Sequence, residues 1–151
     1  MVIPSFTAPG YKRALALSFS IVLTTIGAVA QDFILLTEGG GVTGNTTVFR
    51  ISRSGEVAKG TGIVEPQYSE FAQLRKLKTN KFFRKTHALL EKRSFNYPGN
   101  MYKAIALQED GKETKLVWGD PAYQPSRDAK KLYQKMQASL NRLTFTKELR
   151  K

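Results

Sequence analysis

The sequence has no cysteine. That excludes disulfide staples, thiolate metal sites, a cysteine nucleophile and a lipid-bearing cysteine after an export signal. It holds one histidine, His87, so no histidine pair can grip a metal or relay protons. No serine lies in a segment resembling a nucleophile elbow. Acidic residues are scarce, 12 against 24 Lys and Arg, which sets the formal charge at +12. No internal repeat, low-complexity tract or domain linker breaks the 151 residues, a length that suits one domain.

What is present begins with an export pattern. Lys12 and Arg13 precede an apolar run from Ala14 to Gly27, and Ala28-Val29-Ala30 places small side chains where a signal peptidase needs them. Residues 1–30 therefore read as a signal peptide cleaved after Ala30, which predicts a secreted or periplasmic protein with no integral membrane span after cleavage. An uncleaved anchor is the alternative, since the run approaches the lower limit for crossing a bilayer. Losing Lys12 and Arg13 leaves 22 basic against 12 acidic residues, a net +10. Such a surface favours polyanions: nucleic acid, anionic lipid, acidic glycan or an acidic protein.

The rest is organised around the stretch from Phe95 to Asp120. Two strand-like runs, MYKAIALQ and ETKLVWGD, flank a turn at Glu109-Asp110-Gly111-Lys112, where Gly111 can take positive φ. Upstream, Phe33–Glu38, Thr46–Arg53 and Val57–Gly62 read as a three-strand antiparallel meander. Ile63–Leu77 reads as an extended or irregular crossing. A helix is expected over Thr79–Arg93, capped by Thr79 or Asn80, with Phe82, Phe83, Thr86, Leu89 and Leu90 on its apolar side. A second helix is expected after Ser126, its cap, with Asp128 in the first turn. Its apolar stripe is Ala129, Leu132, Tyr133, Met136, Leu140 and Leu143. The predicted fold is α+β: about five antiparallel strands, meander plus hairpin, with two helices on one face, spanning residues 31–143. Residues 144–151 read as a short basic tail.

Three blocks carry a resemblance: Gly39-Gly40-Gly41-Val42-Thr43-Gly44, Pro98-Gly99-Asn100 and Trp118-Gly119-Asp120. In their order and spacing the chain resembles a family of small uncharacterised secreted bacterial α+β domains with GGGxTG, PGN and WGD motifs. Val42 departs from the aromatic expected inside the first motif. The resemblance implies export and the fold over nearly all of the mature chain, and it implies no catalytic residue.

No catalytic, metal or cofactor set emerges, and the reading leans away from an enzyme. A secreted hydrolase assembled only in three dimensions, from carboxylates or a His87 dyad, stays open. The basic residues Lys81, Arg84, Lys85, Lys92 and Arg93 on one helix and Lys130, Lys131, Lys135 and Arg142 on the other are candidates for a polyanion-binding surface. That surface is one side of the molecule if both helices cover the same sheet face. Loop candidates are Gly39, Gly40, Gly41, Thr43, Gly44, Tyr97, Asn100, Asp120 and Tyr123. The glycine block reads as a hairpin turn or close backbone passage ahead of an anion nest. Asp120 is expected to bond backbone N–H groups of its own loop, and Tyr97 and Tyr123 to be exposed. The function that follows is an exported binding domain at the cell envelope, its partner an acidic protein, a glycan or another anionic component.

Overall fold

The computed structural model describes residues 31–41, 44–62 and 65–147. The signal-peptide reading, Val42 and Thr43 of the glycine block, and the last four residues of the tail lie outside them.

Alternation of apolar and polar side chains builds the meander. Strands β1 (Phe33–Gly40), β2 (Thr46–Ser52) and β3 (Glu56–Thr61) are followed by β4 (Gln67–Gln73). Helix α1 (Lys76–Leu90) leads to β5 (Phe95–Tyr97), the hairpin β6 (Met101–Glu109) and β7 (Lys112–Trp118), and helix α2 (Arg127–Leu140). The strands form one sheet in the order β4-β3-β2-β1-β6-β7-β5. All neighbours are antiparallel except β5, which runs parallel to β7.

The α+β class holds, but the sheet has seven strands and is mixed, where five antiparallel strands were expected. The two additions are elements with weak sequence patterns. β4 lies in the stretch read as an irregular crossing. It alternates only between half-buried and exposed positions, and pairing with β3 across a bulge at Lys59/Gly60 makes it a strand. β5 is three residues long, too short for any periodicity to register, and is held by β7.

β1 is central because both its edges are paired and its inward side chains are fully enclosed. Ile34 and Leu36 face Ile51 and Phe49 on one side and Leu107 and Ile105 on the other. Leu116 and Trp118 extend that face along β7. Both helices pack there, bringing Phe82, Phe83 and Leu90 from α1 and Ala129, Leu132, Tyr133, Met136 and Leu140 from α2 into one core. The hairpin closes on Asp110 and Gly111, both at positive φ, the conformation a two-residue turn requires to match strand twist.

Two boundaries differ from expectation. α1 begins at Lys76, three residues before the predicted start. Thr79, expected as its cap, is completely buried within the helix and its hydroxyl bonds the Arg75 carbonyl at 3.3 Å. The segment read as a short basic tail docks on the sheet as far as it is described. Phe145 packs against Phe49, with centroids 6.0 Å apart. Thr146 exchanges backbone hydrogen bonds of 2.7 and 2.9 Å with Phe71, covering the outer edge of β4.

Candidate functional site

Two helices lying side by side on one sheet leave a furrow between their outward flanks. Here it consists of two adjoining concavities of about 560 and 850 Å³. The first is walled by Lys85, Leu89, Lys92 and Arg93 opposite Ser126, Asp128 and Lys131. The second is walled by Arg75, Leu77, Lys78 and Lys81 opposite Ala138, Arg142 and Leu143. Lys85, Leu132 and Lys135 belong to both, so the concavities form one groove. The start of α1 faces the end of α2, and the helices are therefore antiparallel.

Helical spacing puts the charges in two facing rows. Along α1 and the turn after it, Lys78, Lys81, Lys85, Leu89 and Lys92 recur every three or four residues. Along α2 and the turn after it, Lys131, Lys135, Ala138 and Arg142 do the same. Among the described residues the groove thus gathers Arg75, Lys78, Lys81, Lys85, Lys92, Arg93, Lys131, Lys135 and Arg142, against Asp128 alone. Ion pairs among the described residues lie elsewhere. They join Arg53 to Asp32 and Glu109, Lys59 to Glu70, Lys103 to Glu38, Lys115 to Glu113, and His87 to Glu91 and Glu109. Every described carboxylate in these ion pairs is off the groove.

The groove's geometry selects the kind of anion. Its cations are exposed and spread along α1, a span of about 20 Å for a 15-residue helix. No buried donors converge on a point, as a single bound phosphate would require. The arrangement suits a chain of repeated negative charges.

Local features of α1 add to the positive field. Its N-cap, Arg75, makes no side-chain capping bond, and its first turn holds no acidic residue. Arg75, Lys76 and Lys78 therefore crowd the positive end of the helix dipole. α2 is built the opposite way: Ser126 accepts a hydrogen bond from the Ala129 N–H at 3.2 Å, and Asp128 sits in the first turn.

Of the basic residues predicted from sequence, Lys81, Lys85, Lys92, Arg93, Lys131, Lys135 and Arg142 line the groove. Arg84 is exposed on another side of α1 and does not line it. Lys130 points to the opposite flank of α2, into a separate cleft. Arg75 and Lys78 were missed, because a helix start at Thr79 left them outside the spacing; extending the same row by one turn finds them.

The loop candidates meet at one end of the sheet. Gly39 passes Thr46 so closely that a Cβ would overlap the threonine hydroxyl. A Cβ on Gly40 would fall on the Asn100 carbonyl, which accepts a hydrogen bond from the Gly41 N–H at 2.7 Å. Gly99 and Gly119 press their backbones together in the same way. The three glycine-bearing blocks are thus a mutual backbone contact, the close passage expected for the first of them, and Gly44 is exposed beside it. Tyr97 and Tyr123 are exposed and stack on each other at 3.8 Å. Asp120 accepts a hydrogen bond from the Ala122 N–H at 2.8 Å, within its own loop. Thr43 lies outside the described residues.

His87 is half exposed, with Glu91 3.5 Å from one ring nitrogen and Glu109 3.7 Å from the other. It lines none of the concavities above. Among the described residues no group of three His, Asp or Glu side chains could hold a metal ion. None of the described helices is long and apolar enough to cross a membrane.

No family model matches this chain, and no curated protein or solved structure matches it either.

Proposed function

We propose that the chain is a binding domain that holds an extended polyanion in the groove between α1 and α2. The observation that carries this reading is the double row, unneutralised among the described residues: nine cations facing one another across a furrow in which the described residues place a single carboxylate. Like charges gathered this way repel one another, and a polyanion laid between them replaces that repulsion with attraction and released counterions. If residues 1–30 direct export as their pattern predicts, the partner is an anionic polymer of the envelope, such as an acidic glycan. The same reading places the protein with the small secreted domains it resembles, as a binding member.

Heparin is the probe that tests it. The chain is expected to be retained at low salt and released at moderate salt, because exposed cations act through a screened field. The triple variant Lys81→Glu, Lys85→Glu, Lys135→Glu is expected to bind at least about tenfold more weakly at low salt. A matched triple reversal at Arg53, Lys59 and Lys115, outside the groove, is expected to reduce binding far less. Equal loss from both triples would mean that net charge alone attracts heparin, and the groove would have no part in it.

A further inference from the structure

The opposite flank of α2 forms a second cleft with different chemistry. It has a volume of about 320 Å³ and lies where β6 starts and β7 ends. This is at the lower end of the range for small-molecule sites. Trp118 and Tyr133 form its floor, their rings edge to face at 5.3 Å. Met101, which is 58% exposed, overhangs one side and supplies a polarizable thioether. Gly119 lets the chain turn beneath Met101, for a Cβ there would strike the Met101 carbonyl.

The polar rim has one uncommitted charge. Glu38 is neutralised, taking a hydrogen bond from Gln137 at 2.7 Å and an ion pair from Lys103 at 3.3 Å. Lys103 is further occupied by the face of the Tyr133 ring, 5.2 Å away. The Tyr133 hydroxyl donates to the Thr37 carbonyl at 3.2 Å. Among the described residues Lys130 alone of these charges has no carboxylate partner, its ammonium donating to the Gln124 side-chain oxygen at 2.7 Å. Two aromatic rings, a thioether and a single ammonium held only by a neutral amide describe the complement of a small flat molecule with one negative charge. A polyanion is disfavoured here because Glu38 shares the cleft.

We infer that this cleft is a binding site for a small aromatic mono-anion, a carboxylate or sulfonate, whose ring lies against Trp118, Tyr133 and Met101 and whose charge meets Lys130. The site is independent of the groove: adjacent residues Lys130 and Lys131 belong to opposite flanks of α2.

Trp118 is the sole tryptophan of the chain, so energy transfer from it reports occupancy directly. The probes are 1-anilinonaphthalene-8-sulfonate and its uncharged counterpart N-phenyl-1-naphthylamine, added to the full chain. The sulfonate is expected to quench Trp118 with sensitised probe emission. Lys130→Gln is expected to weaken the sulfonate about fivefold, the scale of one exposed charge contact, and to leave the uncharged probe within about twofold. Met101→Glu, at an exposed position that leaves the core intact, is expected to abolish sulfonate transfer. The groove triple Lys81→Glu, Lys85→Glu, Lys135→Glu is expected to leave it unchanged. The inference is overturned if transfer is absent, if the groove triple removes it, or if neither Lys130→Gln nor Met101→Glu changes it.

Discussion

The two helices cover the same face of the same sheet, yet they are built to different standards. α2 has a side-chain cap, an acidic residue in its first turn, and a buried serine, Ser139, whose hydroxyl donates to the Lys135 carbonyl at 2.7 Å. α1 has no cap, a basic first turn, and a fully buried Thr86 whose hydroxyl has no hydrogen-bond partner. Leu77, in its first turn, is 86% exposed. The start of α2 is capped as local rules require, whereas α1 departs from them repeatedly. Such departures concentrate where a surface serves something other than its own fold. Both helices wall the same groove, but only α1 departs from these local rules where it does so.

Five changes break or sharpen that contrast. The largest effect is expected from Met136→Ala, since Met136 is fully enclosed between α2 and the sheet. Truncating a buried methionine costs about 2–5 kcal/mol, to be read as a fall in the denaturant midpoint of unfolding. The opposite sign is expected in α1. Thr86→Val keeps the shape and removes the unpartnered hydroxyl, so stability should rise by about 1 kcal/mol, measured the same way. A loss instead would mean that the hydroxyl finds a partner.

The helix starts form the third comparison. Ser126→Ala removes the α2 cap and should cost about 1 kcal/mol. Arg75→Asp gives α1 a cap and an acidic residue together, and should stabilise the fold by about 0.5–1 kcal/mol while weakening heparin binding. Stability and binding moving in opposite directions is the signature of a helix start kept basic for a partner.

The smallest effect is a loss confined to alkaline pH. Burial, and then the nearby Glu38 carboxylate, push the Tyr133 phenol above its ordinary value of 10.0. The folded protein holds this proton more tightly than the unfolded chain does. Its contribution to stability is therefore complete below pH 10 and is lost as the pH rises from there towards the folded value. Ultraviolet titration of phenolate should show a late-ionising tyrosine in wild type that Tyr133→Phe lacks, beside Tyr68, which burial also shifts upward. Ionisation of all tyrosines together near 10 would contradict the burial described.

Much of this was legible because strong patterns dictate their own partners. The α2 stripe from Ala129 to Leu140 can face only a core, and Ser126 announces its start. The alternation in β1, β2, β6 and β7 determines which side chains turn inward, and Gly111 marks the hairpin. The α1 boundary was misread because Thr79 has the chemistry of a cap, whereas its position opposite the sheet buries it. Strands β4 and β5 escaped because edge strands bury little and so alternate weakly. The basic residues were visible one by one. That Arg84 and Lys130 stand apart from the rest depends on helical phase, about 100° per residue. That the two rows face each other depends on antiparallel docking, which only the folded chain supplies. The meeting of the three glycine blocks is likewise a tertiary fact, and no local pattern forecasts Gly40 against Asn100.

The most direct measurement is amide chemical-shift mapping with a short heparin oligosaccharide. Shifts concentrated from Arg75 to Arg93 and from Lys131 to Arg142, fading as salt is raised, are the predicted result. Shifts scattered over Arg53, Lys59 and Lys115 as strongly as over the helices, or centred on the glycine blocks with the helices silent, would contradict the account.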